Sequence, residues 1–427
     1  MPRRTMWNWR DVSLFANEKV TPSAILAPHY AATVQRAENA GLILCAHDTT
    51  EISFSTEREG QGRINDGGRG FFAHVALGRR AEEARSPLGI LGVLTHTRHD
   101  APRKNKHTER IAPSHRESYR WTQLVEQVHE RVGNRAQVVH LLDSEADAYL
   151  LLEHLIEGKK RFVIRATHKR RVTNPEGERE PLCQVVSLLE GVFERRIALA
   201  ARAAKPSKKK TRKRNLPREM RTAHLSYAAT RVILHRPHGE QTKTKSLVVN
   251  VVHVRELHVP EGAEPVDWML YTTEPVLSGA DIERVVDFSR ARGRIEELFK
   301  ALKTGCTFEK RQLESLPTIL NALSIFLPIA CDLLALRAVA VADPQRPARE
   351  VLAPMVFLLL QRHPRSKLAA DASIHDTMLA VARFGGHIKN NGTPGWMMLG
   401  RGYEEVLMLA EGLHLGLQID PKDRINL

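Results

Sequence analysis

Short apolar runs that end in an acidic residue stand out in the first half of the chain. Leu42 to Asp48 and Val138 to Asp143 are runs of this kind, and 162–164 is a third apolar run. Apolar runs of four to eight residues bounded by polar residues are typical of buried strands. We therefore predict that one strand ends at Asp48 and another at Asp143.

Helical patterns alternate with these strands. Trp121 to Arg131 and Ala146 to Leu155 have apolar residues at helical spacing, and a glycine-rich stretch at 60–70 leads into a further apolar run at 71–77. The glycine-rich turn between apolar runs predicts antiparallel strands, and the later order of strand, acid and helix predicts an α/β sheet.

The pattern changes after about residue 171. Strand-like segments at 192–199, 223–234 and 247–254 flank a basic run at 205–221, and the chain from Asp281 onward is almost entirely helical in pattern. We predict a β insertion followed by a helical region, in which Pro317, Pro328 and Pro344 break helices. The cluster 208–214 is either a solvated loop or an arm that contacts phosphates.

The charge and the composition of the chain indicate which kinds of partner and cellular setting the protein has. The net charge of +15 and an isoelectric point near 9.8 favour a polyanionic partner, with nucleic acid first, although solubility alone can also explain them. The four cysteines form no C-x-x-C pair, which favours reduced thiols in a cytosol. The longest uncharged run, Ser315 to Cys331, is shorter than the roughly 20 apolar residues of a membrane span, so we expect a buried helix pair and no membrane.

Asp48 and Asp143 are candidate metal ligands. Catalytic groups gather at the carboxyl ends of strands in open α/β sheets, and hard carboxylate oxygens suit Mg²⁺. Two such ions are a common solution for displacement at a phosphodiester. The alternative for either acid is a helix cap or a turn.

A third acid lies in a helical pattern at 292–303. Its apolar positions form a core-facing stripe, while Glu296 stands at helical spacing from Arg292, Lys300 and Lys303. The stripe is either an ordinary surface ladder of ion pairs or an acid of a metal site with bases that hold phosphates beside it.

Three motifs carry a family resemblance. D-T-T at 48–50, D-x-E-A-D at 143–147 and R-x-R-I-E-E-x-x-K-A-x-K-T-G at 292–305 occur in this order. The chain resembles the DDE transposases of the insertion-sequence-4 family, in the transposon-5-like branch with a Y-R-E-K signature, from about Leu14 to near its carboxyl terminus. The resemblance implies an α/β fold with a ribonuclease H-like core, interrupted by a mainly β insertion and followed by a mostly helical carboxyl-terminal region.

The resemblance also implies the site. Asp48, Asp143 and Glu296 match the catalytic triad, which in the family binds two divalent metals, Mg²⁺ with Mn²⁺ as a substitute. Further positions match residues that contact DNA: Arg165, Trp268, Arg292, Lys300 and Lys303. Trp268 matches a tryptophan that stacks on a flipped base during hairpin formation.

The implied activity is cut-and-paste DNA transposition by strand cleavage, hairpin formation and strand transfer. The expected partners are double-stranded DNA, as element ends and target, and a second copy in a homodimer, in a prokaryotic, nucleoid-associated cytoplasmic setting. Ser289 and Gly293 replace the signature Tyr and a Trp, and only about a dozen residues precede Leu14, where the family has a DNA-binding domain. The alternative is therefore a truncated remnant that folds and dimerises without cutting.

The resemblance and the patterns together give the expected domains. They are an amino-terminal remnant at 1–40, the first part of the core at 41–171, the β insertion at 172–275, the rest of the core at 276–340, and a helical region at 341–427 for which a dimerisation role is expected.

Overall fold

The computed structural model describes residues 14–65, 67–82, 86–98, 116–199, 201, 218–240, 242–388 and 392–418. The chain divides into two compact units. The first comprises 1–112, 124–137 and 293–427, and the second comprises 113–123 and 138–292. The fold is mixed α/β, as predicted, and the chain is helical from Leu316 onward.

The strands and helices have the following bounds. The strands are β1 (Leu42–Ser53), β2 (Gly62–Arg63), β3 (Arg69–Arg80), β4 (Pro87–His96), β5 (Gln137–Leu142), β6 (Arg161–Arg165), β7 (Arg171–Thr173), β8 (Arg179–Pro181), β9 (Phe193–Leu199), β10 (Arg221–His235), β11 (Ser246–Glu256) and β12 (Asp267–Thr272). The helices are α1 (Pro22–Ala40), α2 (Tyr119–Val132), α3 (Tyr149–Glu157), α4 (Leu182–Ser187), α5 (Gly279–Ala291), α6 (Arg294–Lys300), α7 (Leu316–Ala342), α8 (Pro354–Arg362), α9 (Ile374–Phe384) and α10 (Trp396–Gln418).

The first unit contains the predicted antiparallel strands. β3 pairs with β1 along one edge and with β2 and β4 along the other. The prediction that a strand ends at Asp48 is wrong, because β1 continues to Ser53 and pairs with β3 without interruption from Ile43 to Ser53. Thr49, Thr50 and Ile52 are β-branched residues that fit a pleated strand, so the acid does not end it.

The helical core of the first unit is organised around α7. This helix carries a long row of buried apolar side chains and packs against α1, β4, α6 and α9. The predicted helix pair is wrong: α7 is one helix of 27 residues with Pro328 inside it, and Pro317 lies in its first turn. By length and hydropathy α7 would be long enough to cross a membrane, but two thirds of its most apolar window is buried inside the protein, as in a core helix.

The helical pattern predicted over 292–303 is interrupted. α5 ends at Ala291, α6 begins at Arg294, and the chain then forms a π-helical turn over Ala301–Gly305. Glycine in a helix interior costs about 1 kcal/mol relative to alanine, and Gly293 lies at the break.

The second unit is a mainly antiparallel sheet. β5 and β6 are parallel, as expected for strands connected through helix α3, and the strand order continues β6-β12-β11-β10. β9 and β7 pair with β10, and β8 pairs with β7. β5 ends at Leu142, so the predicted strand that precedes Asp143 is confirmed.

Candidate functional site

Asp48 lies in the middle of β1 and is half-buried. Its Oδ1 accepts a hydrogen bond of 2.8 Å from the backbone N–H of Thr49. Successive side chains of a strand point to opposite faces, and the preceding residue, His47, is fully buried, where burial and then His129 lower its pKa to about 3. β1 therefore buries a neutral histidine on one face and presents the carboxylate of Asp48 on the other.

Glu296 is carried by α6. Ile295 and Leu298 are buried and hold α6 against β1, while the side chain of Glu296 is exposed. Its neighbour Glu297 forms an ion pair of 2.7 Å with Arg294. The structure thus brings the strand of Asp48 and the helix of Glu296 together within the first unit.

The two lysines after Glu296 have different surroundings. Lys300 is exposed at the end of α6. Lys303, in the π-helical turn, donates a hydrogen bond to the backbone carbonyl of Glu51, and its ammonium lies 3.5 Å from the carboxylate of Glu309. Lys303 therefore ties the turn to the end of β1, whereas Lys300 makes no such bond to the residues that the structure describes.

Asp143 follows β5 in the second unit. Its side chain accepts a hydrogen bond of 2.9 Å from the backbone N–H of Glu145 and so caps a short 3₁₀ turn. This is the turn geometry that the sequence left open as an alternative. The carboxylate is half-buried, so capping does not remove it from contact with solvent.

Asp147, the second acid of the same motif, has a structural role. Its carboxylate is fully buried, lies 2.7 Å from the guanidinium of Arg170, and accepts backbone hydrogen bonds of 2.8 and 2.9 Å from Thr167 and His168. A buried carboxylate with all of these partners holds the chain after β6 in place.

Arg165 and Trp268 lie side by side in the second unit. Arg165 is opposite Leu270 in the pairing of β6 with β12, and its guanidinium carbon lies 6.0 Å from the ring centroid of Trp268. Burial and then the positive charge of Arg292 lower the pKa of Arg165, and Asp143 acts in the opposite direction. The structure thus brings Asp143 and the three DNA-contact candidates of this unit into one neighbourhood.

A cavity of about 850 Å³ opens beside this pair and is lined by Arg165, Trp268, Arg218, Arg221 and the loop 260–267. Ligand pockets typically measure about 300–1,000 Å³. Arg221, in one wall of the cavity, is held in place by an ion pair with the buried carboxylate of Glu256. The hydrogen bonds from Arg221 lower the pKa of Glu256 below its usual value. Glu256 was not singled out from the sequence, because no local motif marks it.

Two sequence features lie outside the described residues. The basic cluster at 208–214 falls in the undescribed range 202–217, and the short amino-terminal segment falls in 1–13.

A solved structure resembles the chain weakly. It is the piggyBac transposase, determined by cryo-electron microscopy as a synaptic complex with hairpin DNA. The identity is 10%, the TM-score is 0.36, and the match covers 73% of this chain and 49% of that one, so the chain spans about half the length of the relative.

The sequence itself matches a family model described as a transposase DDE domain over residues 96–327. The matched range contains Asp143, Arg165, Trp268 and Glu296, and Asp48 precedes it. Because the match spans more than half of the 427 residues, the protein belongs to the family of transposase DDE domains.

Proposed function

We propose that the protein is a transposase of the insertion-sequence-4 family that moves DNA by metal-dependent strand cleavage, hairpin formation and strand transfer. The observation that carries the proposal is the match to the transposase DDE domain, a family whose activity depends on divalent metal. The net charge of +15 supports DNA as the substrate.

The proposed metal ligands are Asp48, Asp143 and Glu296. All three offer carboxylate oxygens, the donors that Mg²⁺ prefers, and each is at least partly exposed, so a hydrated cation can reach it. The residues present therefore fit two Mg²⁺ ions, with Mn²⁺ as a substitute. The bound ions would polarise the scissile phosphate and lower the pKa of an attacking water.

The basic residues are proposed to hold the DNA. Arg292, Lys300 and Lys303 contact backbone phosphates, which positions the scissile bond without reading sequence. Arg165 neutralises a phosphate beside the Trp268 ring, where a base extruded from the duplex stacks. The cavity of about 850 Å³ next to Trp268 provides room for such a base.

The proposed reaction has four steps. Water attacks one strand at the element end and releases a 3′ hydroxyl, and this hydroxyl attacks the phosphodiester of the opposite strand, which forms a hairpin and releases the flanking DNA. A second water opens the hairpin, and the 3′ hydroxyl then attacks target DNA. Two copies of the chain would hold the two element ends, in a prokaryotic cytoplasm at the nucleoid.

The proposed architecture is a ribonuclease H-like core at 41–171 and 276–340, with the β insertion at 172–275 between its parts. In support, the antiparallel strands β1, β3 and β4 and the parallel pair β5 and β6 fall in 41–171, and α6 falls in 276–340. The range 341–427 is the proposed dimerisation region, and 1–40 the remnant of an amino-terminal region.

The alternative function is a remnant that folds and dimerises but does not cut. Gly293 favours it, because the helix pattern that carries Glu296 is broken at this residue. Ser289 favours it as well, since it replaces a signature side chain.

One experiment separates the two functions. The full chain is incubated with a duplex that carries the element end flanking its gene, with Mg²⁺, with Mn²⁺ or with EDTA, and nicked and hairpin products are resolved on a denaturing gel. The transposase yields both products with either metal and neither with EDTA. A folded protein that yields no product with either metal is the silent remnant.

A further inference from the structure

A second cavity, which shares no residue with the one beside Trp268, lies in the second unit. Its volume is about 590 Å³, and it is lined by residues from parts of the chain that are far apart in sequence, within 116–122, 147–151, 168–171 and 235–240 and at Arg179. Six basic side chains line it: Arg116, Lys169, Arg170, Arg171, Arg179 and Arg236. We call this the basic cavity.

Two acids line the basic cavity, and both are already paired. Asp147 binds Arg170 at 2.7 Å, and Glu240 binds Arg116 at 2.7 Å. Lys169, Arg171, Arg179 and Arg236 have no carboxylate partner within the part of the chain that the structure describes. Four uncompensated positive charges in one concave surface repel each other, and a bound anion would relieve this repulsion.

The scaffold holds Arg170 and the backbone of the neighbouring segment in place. The carboxylate of Asp147 accepts hydrogen bonds from the backbone of Thr167 and His168 and from the side chain of Arg170, and so fixes the segment that carries Lys169. A segment whose backbone is fixed before binding loses less conformational entropy when a ligand arrives.

The hairpin of β7 and β8 holds two of the arginines together. The guanidinium of Arg171 donates a hydrogen bond of 2.7 Å to the backbone carbonyl of Arg179, and both side chains are exposed at the cavity. Arg171 is opposite Pro181, and Arg179 is two residues before Pro181, so both arginines lie on the same face of the hairpin. The positions of these two arginines therefore point to a binding role.

We propose that the basic cavity binds a backbone phosphate of duplex DNA, as a contact additional to those of the motif residues. The inference rests on the proposed function, because the proposed function is the reason for choosing DNA as the polyanion. Guanidinium groups form bidentate hydrogen bonds with phosphate oxygens, and a protein with a net charge of +15 attracts DNA more strongly than small anions. The sequence signal is the run Lys169-Arg170-Arg171, which by itself is indistinguishable from a solvated loop.

The test compares two double variants in the full chain. R171Q with R179Q removes two charges from the basic cavity, and R196Q with R231Q removes two exposed arginines of the same unit that line no described cavity. Binding of a fluorescein-labelled duplex is measured by anisotropy over a series of KCl concentrations, and thermal melts by circular dichroism show that the variants are folded.

The cavity variant should bind the duplex roughly tenfold more weakly at low salt, and its slope of log K against log salt should decrease in magnitude by about 1, because one phosphate contact is lost. The loss of duplex affinity in the control variant should be less than half of the loss in the cavity variant. Equal losses in the two variants, or no loss in the cavity variant, would overturn the proposal.

Pyrophosphate titrated by calorimetry distinguishes a free phosphate from DNA as the ligand. If the cavity variant loses pyrophosphate binding but binds the duplex normally, the DNA assignment is wrong. If the cavity variant binds the duplex with wild-type affinity and cleaves element-end DNA, this inference is overturned and the proposed function stands. If the cavity variant loses duplex binding as expected, but the wild-type protein does not cleave DNA, the inference is supported and the proposed function is rejected.

Discussion

The ammonium of Lys303 lies 3.5 Å from the carboxylate of Glu309, and the same carboxylate accepts a hydrogen bond of 3.0 Å from the backbone N–H of Ser53. Lys303 also donates to the carbonyl of Glu51. A residue proposed to contact DNA thus fastens the π-helical turn to the end of the strand that carries Asp48.

Replacing Lys303 or Lys300 with alanine should separate structure from DNA binding. K303A should lower the free energy of unfolding by about 1–2 kcal/mol, because it removes hydrogen bonds made by a charged group. K300A removes an exposed side chain, so its effect on stability should stay within roughly 0.5 kcal/mol. Both should weaken duplex binding. Urea unfolding and anisotropy measure the two effects, and equal stability of the two variants would contradict the assigned role of Lys303.

Replacing Trp268 should affect one stage of the reaction. Stacking of a base on an aromatic ring contributes about 1–3 kcal/mol, so W268A should slow hairpin formation roughly 5- to 150-fold while nicking of the first strand continues. W268F keeps an aromatic face and should lie between W268A and the wild type. A ratio of hairpin to nicked product that W268A leaves unchanged would show that Trp268 holds no extruded base.

Replacing two glycines of α10 with alanine should change the stability of the protein in opposite directions. A Cβ at Gly400 would lie 2.0 Å from the backbone oxygen of Gly305, so G400A forces the helix away from the π-helical turn and should destabilise the protein by about 1–3 kcal/mol or more. Gly412 has nothing within 4 Å of an added Cβ, so G412A should stabilise it by up to about 1 kcal/mol. Melting temperatures that move in the same direction would contradict this packing.

Acid should destabilise the first unit through His29. Its Nε2 accepts a hydrogen bond of 3.0 Å from the backbone N–H of Ile90, and burial, followed by the charge of Arg36, lowers its pKa from 6.5 to about 4. The unfolded chain then binds a proton more readily than the folded one. The stabilising contribution of neutral His29 is complete above pH 6.5 and is lost as the pH falls toward 4.

The variant H29Q tests this assignment, because glutamine accepts the same hydrogen bond but does not titrate. Between pH 7 and pH 4 the wild type should lose on the order of 2–3 kcal/mol more stability than H29Q. The remaining acid sensitivity of H29Q includes His47, which is also buried in its neutral form. Parallel curves of unfolding free energy against pH would exclude His29 as the source.

The sequence predicted which strands and helices form better than it predicted where they end. The strand before Asp143 and the antiparallel strands after Asp48 follow from apolar runs and glycine turns. The extension of β1 past Asp48 depends on pairing with β3, which no local pattern reveals. Pro328 was predicted to break a helix, but the apolar surroundings of α7 keep the helix continuous.

Local motifs also leave the roles of acids open. Asp143 and Asp147 stand in one motif, yet only the structure separates a half-buried turn acid from a buried partner of Arg170. The basic cavity was equally inaccessible to sequence reasoning, because its arginines come from distant parts of the chain and meet only in the folded unit.

The central claim is that Glu296 is an acid of the cutting site, and its neighbour Glu297 offers a matched control. Both stand on α6: the side chain of Glu296 is exposed, and that of Glu297 is half-buried and forms an ion pair with Arg294. Cleavage of element-end duplex in Mg²⁺ should fall at least about a thousandfold in E296Q, since the substitution removes a charged metal ligand. E297Q should retain activity within about tenfold of the wild type. Cleavage by E296Q at the wild-type rate, in a folded protein, would contradict the account.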